Sequence, residues 1–448
     1  MKPTQTNLTC SVGNLLVMSL PVIFTLLSGT LMYNVDRILL AHYSLAAMNG
    51  ATFVHQMIDV IVLPLLSITA ISEVFVGQFN GAQKFYKTSA PIMQIAAAMI
   101  IGWAIVYPIA LCFRSSFIPQ SLLSEGDPYF CISLVMIPFQ ILNCAFSAFF
   151  VGTRRPNVTL SAVLMSNVLN FGLDFLLIFG AAPFPAMGTK GAAIASLVAT
   201  ITSATILGMR FFSDHNAQNY NTRRMCVDWV ILRKNLIIGA PYAVSELVEM
   251  LIWVAVLILL EKISMDAVTL QNVGVTFWVF FAFISEGCQK GVMSLASNCI
   301  GAGRDIFIRR LVRSMLWIIA FWAVISAIPM LVYPKQLLAF TFDITNVDKM
   351  TDYKILLFLI WLSYLFVLWA SSCFGGILSS GGDTKFVTCV RIASILLWIA
   401  IPVGTYAYLG KLTALTSWWL GVLQQIFNGI FFYRRYRSGK WKHSLVRE

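Results

Sequence analysis

Long apolar stretches separated by short polar segments run through the whole sequence. A helix that crosses a bilayer needs about 20 consecutive apolar residues, and these stretches are apolar on all sides rather than along one stripe. The pattern therefore predicts an all-α integral membrane protein with twelve transmembrane helices. The predicted spans are about 14–41, 49–79, 88–113, 128–152, 157–180, 188–213, 234–261, 268–298, 309–333, 353–379, 386–409 and 412–433.

Composition supports the membrane assignment. Hydrophobic residues make up 58% of the 448 residues, and charged residues only 11%. A soluble protein carries about 25% charged residues, so a soluble fold is excluded. The nine cysteines show no CxxC spacing and the four histidines are dispersed, so we expect no disulfide framework and no metal site apart from a possible sodium ion.

Basic residues predict the orientation in the membrane. Twenty lysines and arginines fall at one set of span ends and seven at the other. Because cytoplasmic loops carry the excess of basic residues, both termini are expected in the cytoplasm of a multi-pass protein of the cell inner (plasma) membrane. The net charge of +12 then reflects topology, and no nucleic-acid partner is expected.

The chain repeats itself at a nearly constant offset. The segments around Pro21 and Pro241, "YSLAAMN" and "ISMDAVT", and "GQFNGA" and "SNCIGA" are all 220 residues apart, and "GTRRP" precedes "GDTKF" by 230. Six spans separate equivalent points, so the repeat predicts two parallel six-helix lobes. We expect an N-lobe at 1–213, a cytoplasmic linker at 214–232 and a C-lobe at 233–448. Such repeats are typical of alternating-access transporters.

The segment "NVLNFGLDFLLIFG", residues 167–180, places a carboxylate inside an apolar run. Asn170 and Asp174 are four residues apart and share a helical face, which Asn167 joins. An acid at this depth is costly unless it faces the protein interior, carries a proton or binds a cation. Amide and carboxylate oxygens suit sodium, and a buried carboxyl can equally take up a proton. The alternative is that these side chains only form hydrogen bonds to neighbouring helices.

Several stretches together resemble one transporter family. They are "SLPVIFTLLSGTLMYNVDRILLAHYS", "VGQFNGAQK", "FFVGTRRPNVTLSAVLMSNVLNFGLDFLLIFG", "FPAMGTKGAAIASLVAT" and "GGILSSGGDTKF". The resemblance is to the multidrug and toxic compound extrusion (MATE) transporters, of the multidrug/oligosaccharidyl-lipid/polysaccharide flippase superfamily. It implies two six-helix bundles around a central cleft, and export of amphipathic, often cationic compounds against inward flow of sodium or protons. Antibiotic resistance is a typical outcome of such efflux.

The resemblance also implies a cation site in the N-lobe. Carried over to this sequence, its residues are Asp36 on the first helix, Asn170 and Asp174 on the fifth, and Ser196 on the sixth, with the Ala192 carbonyl as a further ligand. The coupling ion is then sodium or a proton, and no other cofactor is expected.

A substrate cleft is expected to contain acidic and aromatic side chains. A sodium-coupled branch of the family has a cleft glutamate that matches Glu249, but its aspartate on the tenth helix has no counterpart in "IWLSYLFVLWASSCFGG" at 360–376. The expected cleft residues are Glu249, Glu246, Asp59, Tyr33 and Trp278. Glu286 and Lys290, which are four residues apart, are expected to form an ion pair.

Other function classes are less well supported by the sequence. It contains no GxxxxGK[ST], HExxH or GxSxG motif, so neither ATP-driven transport nor an enzyme is expected. A channel does not explain the two-lobe repeat with an ion site in one half. A flippase for lipid-linked saccharides stays as the alternative, but a pyrophosphate substrate would favour a more cationic cleft.

The expected partners are small organic molecules and membrane lipid, and the expected state is a monomer.

Overall fold

A computed structural model describes residues 9–180, 185–224, 228–342, 350–442 and 445. Within these residues every regular element is a helix, which confirms the all-α prediction. The termini and residues 225–227 of the expected linker lie outside the described residues. The α-helices of the described residues are α1 (Val12–Tyr43), α2 (Leu45–Ala70), α3 (Ser72–Gly81), α4 (Ser89–Phe117), α5 (Leu123–Gly152), α6 (Pro156–Phe179), α7 (Gly188–Phe211), α8 (Asp214–Tyr220), α9 (Trp229–Glu261), α10 (Met265–Gly301), α11 (Ile306–Ala327), α12 (Pro334–Phe342), α13 (Met350–Val367), α14 (Gly376–Ser380), α15 (Thr384–Ile395), α16 (Ile401–Tyr408) and α17 (Ala414–Ser438).

Eleven helical segments among the described residues are long and apolar enough to cross a membrane. Three of them combine consecutive helices: α2 with α3, α13 with α14, and α15 with α16. The twelfth predicted span corresponds to α17, which is less hydrophobic because it carries glutamine, asparagine and arginine side chains along its length. The protein is therefore a multi-pass membrane protein, with α17 completing the predicted set of twelve.

Helix α6 shows how its sequence suits a membrane protein. Its buried face carries Ser166, Asn170 and Asp174 at four-residue intervals. Its exposed face carries large apolar side chains, including Val168 and Phe175. A soluble amphipathic helix has the opposite arrangement, with its polar face in water. In lipid, the apolar face can remain exposed while the polar groups meet partners inside the protein.

Residue contacts divide the chain into two units. Unit 1 comprises Pro21–Ala243, and unit 2 comprises Thr6–Leu20 together with Val244–Arg447. The divisions fall next to Pro21 in α1 and close to Pro241 in α9, so each of these long helices contributes to both units. A proline inside a helix removes one backbone hydrogen bond and favours a bend there. The lobe and linker boundaries derived from the repeat stay a prediction.

Small residues bring α6 and α7 close together in unit 1. One side of α7 buries Gly188, Gly191, Ala192 and Ala195. A Cβ atom added at Gly191 would lie 2.5 Å from the carbonyl oxygen of Leu177 on α6, so only glycine permits this approach. Close contact through small residues is a common way to pack membrane helices. It fixes the position of the side chains that α7 presents to α6.

A partly buried arginine fixes the start of α6. Arg155 donates from Nη1 to Asn216 Oδ1 at 2.9 Å, and from Nε and Nη2 to Thr153 Oγ1 at 3.2 Å. Its guanidinium also lies 5.1 Å from the ring centroid of Tyr220. Burial lowers the pKa of Arg155, although the nearby Tyr220 acts in the opposite direction. These contacts hold the α5–α6 connection against α8.

Unit 2 contains wide helical turns inside its membrane segments. π-Helical turns occupy Leu368–Gly375, between α13 and α14, and Leu396–Ala400, between α15 and α16. A π-helical turn leaves an extra residue in the helix and is frequently found at functional sites. The second of these turns begins five residues after Arg391, in the same membrane segment.

Candidate functional site

Two acidic side chains from different helices meet inside unit 1. The carboxyl groups of Asp36 on α1 and Asp174 on α6 interact electrostatically and are close enough to share a hydrogen bond. Asp174 is fully buried and Asp36 is 9% exposed. Asn170, one helical turn before Asp174, donates from Nδ2 to Asp174 Oδ2. The structure thus brings together three of the residues that the sequence predicted for the cation site.

The remaining predicted ligands lie on α7. Ser196 Oγ donates to Asp36 Oδ2 at 3.3 Å, so this helix also reaches the acid pair. Ala192 is buried one turn earlier on the same helix. Its backbone carbonyl lies inside the regular part of α7, where helical carbonyls accept from the residue four positions later. The role of Ala192 as a ligand stays a prediction.

The acid pair requires a positive charge or a proton. Two carboxylates in direct contact cannot both be ionised without a counter-charge, and two carboxyl groups form a hydrogen bond only if they share a proton. One oxygen of each, Asp36 Oδ1 and Asp174 Oδ1, is buried without a hydrogen-bond partner among the described residues. Together with the amide of Asn170 and the hydroxyl of Ser196, this donor set suits a proton or a small hard cation.

Sequence reasoning missed one buried tyrosine in unit 1. Tyr129 on α5 interacts electrostatically with Asp36, Asp174 and Asp59. Its side chain is 7% exposed. Fourteen tyrosines occur in the chain, and no local spacing distinguishes this one. It shows that α5 forms part of the surroundings of the acid pair.

Asn167 has a different role from its neighbours on α6. Its Nδ2 donates to the backbone oxygen of Ser28 at 3.0 Å and to Ser28 Oγ at 2.7 Å. These bonds tie α6 to α1 rather than extending the acid pair. For Asn167, the structure therefore agrees with the alternative given above for these side chains, namely a hydrogen bond to a neighbouring helix.

Two of the expected cleft residues are linked through a histidine in unit 1. The rings of Tyr33 and His55 stack with centroids 4.3 Å apart. His55 Nε2 lies 3.8 Å from Asp59 Oδ2, one turn along α2. The guanidinium of Arg37 lies 5.7 Å from the Tyr33 ring centroid. Sequence reasoning missed His55, although its four-residue spacing from Asp59 could have indicated the contact.

The two glutamates expected in the cleft meet an arginine in unit 2. Arg391 on α15 donates from Nη2 to Glu249 Oε2 at 2.7 Å and from Nε to Glu249 Oε1 at 3.2 Å. Its Nη1 lies 3.9 Å from Glu246 Oε1. Sequence reasoning missed Arg391, although an arginine inside a predicted span is itself unusual.

The other residues named from the sequence lie elsewhere in unit 2. Trp278 on α10 lies 6.1 Å, between ring centroids, from Trp418 on α17. Lys290 Nζ and Glu286 Oε1 are 3.4 Å apart, which confirms the predicted ion pair. Among the described residues, no three His, Cys, Asp or Glu side chains cluster closely enough to hold a metal ion.

A known family model matches both halves of the chain. The MatE model covers residues 21–176 and again residues 241–404. The two matches begin 220 residues apart, the offset of the internal repeat. The repeat found in the sequence is therefore a repeat of this family unit.

Individual relatives and a solved structure agree with the family model. The chain is 24% identical to a probable multidrug resistance protein NorM of Thermotoga maritima, over 92% of this chain and 89% of that protein. It is 23% identical to the uncharacterized transporter YisQ of Bacillus subtilis, over 92% of this chain and 90% of that protein. The fold matches a solved structure of MATE in the straight conformation with a TM-score of 0.82, at 15% identity, over 99% of this chain and 100% of that one.

Proposed function

Because the chain belongs to the MatE family of multidrug and toxic compound extrusion transporters, we propose that it is a cation-coupled antiporter. In this proposal it exports amphipathic, often cationic organic compounds by alternating access. Sodium ions or protons moving inward drive the export. Members of the family are transporters rather than enzymes, in keeping with the absence of a catalytic motif from the sequence.

The contact between Asp36 and Asp174 carries the proposal. The two acids reach each other from α1 and α6, and their neighbours Asn170 and Ser196 supply further oxygen and hydrogen-bonding groups. With a proton or cation bound, the pair can remain together inside the apolar unit. Without one, the two negative charges repel each other, and at least one carboxylate needs water or another partner.

Ion binding at this pair can change the conformation of unit 1. A ligand shifts a conformational equilibrium only by binding one state more tightly than the other. The pair joins α1, α6 and α7, so the loaded state favours an arrangement in which these helices converge. The unloaded state favours one in which the acids separate. Such a difference is what coupling to substrate movement requires.

The remaining parts of the proposal follow from the sequence. The transporter is placed in the cell inner membrane with both termini in the cytoplasm, acting as a monomer. Its partners are small organic substrates and the surrounding lipid. Asp59, Tyr33 and Trp278 are proposed to contact the substrate, and Glu249 and Glu246 to line the cleft while paired with Arg391.

Dye transport into inside-out membrane vesicles tests the function. Dye uptake into the vesicle lumen corresponds to export, and an outwardly directed gradient of sodium or protons supplies the driving ion. We expect wild-type vesicles to accumulate a cationic dye under at least one of the two gradients. The gradient that supports accumulation identifies the coupling ion.

Isosteric substitutions of the acids separate coupling from folding. Asp36→Asn and Asp174→Asn should insert at wild-type levels but lose gradient-driven uptake. Asp214→Asn, an exposed acid that pairs with Arg223 on the linker side, is the matched control and should retain it. Uptake that persists in Asp174→Asn at the wild-type rate would contradict the proposed coupling role.

The lipid-linked saccharide flippase stays as the alternative. It would require cationic side chains that are available to a pyrophosphate group. Arg391 is the basic residue that the structure adds to the interior of unit 2, and both of its donor edges face glutamates. This arrangement favours the antiporter over the flippase.

A further inference from the structure

The two repeats use equivalent helices in opposite ways. In unit 1, the first helix of the repeat, α1, meets the fifth membrane segment, α6, through Asp36 and Asp174. In unit 2, the corresponding helices α9 and α15 meet through Glu249 and Arg391. One contact joins an acid to an acid, and the other joins an acid to a base.

The contact in unit 2 is well formed. Both carboxylate oxygens of Glu249 accept from Arg391, at 3.2 and 2.7 Å. Glu246 lies three residues before Glu249 on the same face of α9 and turns its carboxylate to the remaining edge of the guanidinium, at 3.9 Å. The side chains of Arg391, Glu249 and Glu246 are 18%, 24% and 31% exposed, so all three are largely enclosed.

Arg391 supplies the glutamates with the positive charge that a bound cation would otherwise supply. Its guanidinium is always protonated, and its planar fork matches a carboxylate with two parallel hydrogen bonds. Unlike sodium or a proton, it is covalently attached to α15 and cannot leave. Two glutamates that would otherwise be a candidate cation site are therefore already neutralised in part by the chain itself.

We propose that Arg391 is a built-in counter-cation for Glu249 and Glu246 that keeps coupling ions out of unit 2. Ion binding is then confined to the Asp36–Asp174 pair, and one coupling ion binds to each chain. Arg391 acts as a specificity-determining residue, because it decides which of two acidic sites takes a mobile ion. This inference rests on the proposed function for the pair in unit 1 only.

Binding of radioactive sodium to the purified full-length protein at pH 8 tests the proposal. Asp36→Asn/Asp174→Asn serves as the background, because it removes both carboxylates of the acid pair in unit 1. Three variants are added to it: Arg391→Met, which removes the charge with similar length; Arg391→Lys, which keeps a tethered cation; and Arg391→Met with Glu249→Gln. Size-exclusion chromatography and circular dichroism confirm that each is folded.

The proposal predicts a gain of binding in only one variant. The background should bind no sodium, because Arg391 occupies the glutamates. Arg391→Met should bind one sodium per chain in a saturable manner. Arg391→Lys should bind none, and adding Glu249→Gln to Arg391→Met should abolish the gain. A merely structural role of Arg391 predicts reduced stability without any new sodium binding.

Two results would overturn the proposal. One is a folded Arg391→Met variant that binds no more sodium than the background. The other needs no substitution at Arg391: a background that still binds one sodium, lost on Glu249→Gln, would show that Arg391 does not exclude the ion. This second measurement needs no folded Arg391→Met protein, so it still tests the proposal if that variant fails to fold. Failure of the proposed function would appear in a different experiment, as gradient-driven dye uptake by Asp174→Asn. It would not change the expected results of the sodium-binding measurements.

Discussion

Arg391 holds both carboxylate oxygens of Glu249 across α15 and α9, at 2.7 and 3.2 Å. The two residues lie 142 positions apart in the chain, and both side chains are largely enclosed. Removing one partner from such a pair leaves the other as an uncompensated charge in a poorly solvated place. The pair is therefore expected to matter for stability as well as for ion selectivity.

We predict that Glu249→Gln destabilises the protein more than the loss of the whole pair. The single substitution leaves the guanidinium with Glu246 at a longer distance, and breaking a buried pair costs about 3–5 kcal/mol. Glu249→Gln/Arg391→Met removes both charges and should recover most of the loss. The measurement is the unfolding midpoint of the purified protein in detergent.

Glu261→Gln is the control for this stability comparison, since Glu261 is an exposed residue at the end of the same helix. It should leave the midpoint unchanged. If the double variant were as unstable as Glu249→Gln alone, the pair would not be the reason for the loss.

A second prediction concerns Asn170, which donates to Asp174 in the acid pair. Hydrogen bonds to charged groups contribute about 1.5–3 kcal/mol, which corresponds to a change of about tenfold or more in a binding constant. Because this hydrogen bond stabilises the ionised form of Asp174, Asn170→Ala should make the acid pair bind a proton more tightly and lower the proton concentration for half-maximal dye uptake by this factor. The measurement is uptake by inside-out vesicles as a function of the driving ion.

Asn167→Ala is the matched control, because Asn167 lies one turn earlier and donates to Ser28 instead. It should change the half-maximal ion concentration little, whatever it does to protein yield. Equal shifts in the two variants would mean that α6 as a whole, rather than the amide at Asn170, determines ion binding.

The third prediction tests the close packing of α6 and α7. Gly191→Ala places a methyl group 2.5 Å from the carbonyl oxygen of Leu177, so the helices must separate. Overpacking typically costs about 1–3 kcal/mol. We expect a lower unfolding midpoint and weaker ion-driven uptake, because Ser196 on α7 would move away from Asp36.

Gly172→Ala provides the comparison on α6 itself. A Cβ atom at Gly172 meets no other atom within 4 Å. Alanine favours a helix over glycine by about 1 kcal/mol, so this variant should be at least as stable as the wild type. A Gly191→Ala protein that unfolds at the same midpoint as Gly172→Ala would show that the approach of the two helices tolerates a side chain.

The helical membrane fold followed from the sequence because its cause is local. A bilayer leaves no water for backbone groups, so long apolar segments must be helical. The repeat was visible because motifs such as the segments around Pro21 and Pro241 recur at one offset, and the family model finds the same offset. α17 is the segment where hydropathy is weakest, since its polar side chains are spread along the helix.

The candidate site was only partly accessible from the sequence. Asp174 stood out because an acid in an apolar run is costly, and the helical period placed Asn170 on its face. The approach of Asp36 and Ser196 came from the family resemblance, since no local pattern specifies which helices are neighbours. Arg391 and Tyr129 were missed for the same reason: their partners are distant in the chain. The functional roles of all these residues stay predictions.

A single acid pair in unit 1, with Arg391 occupying the glutamates of unit 2, has an energetic consequence. If one sodium ion or proton enters for each singly charged compound that leaves, no net charge crosses the bilayer. Such electroneutral exchange gains nothing from the transmembrane voltage, which otherwise contributes about 2.3 kcal/mol per elementary charge at 100 mV. The chemical gradient of the ion alone then limits how far a monovalent toxin is depleted, and a divalent one must leave against the voltage.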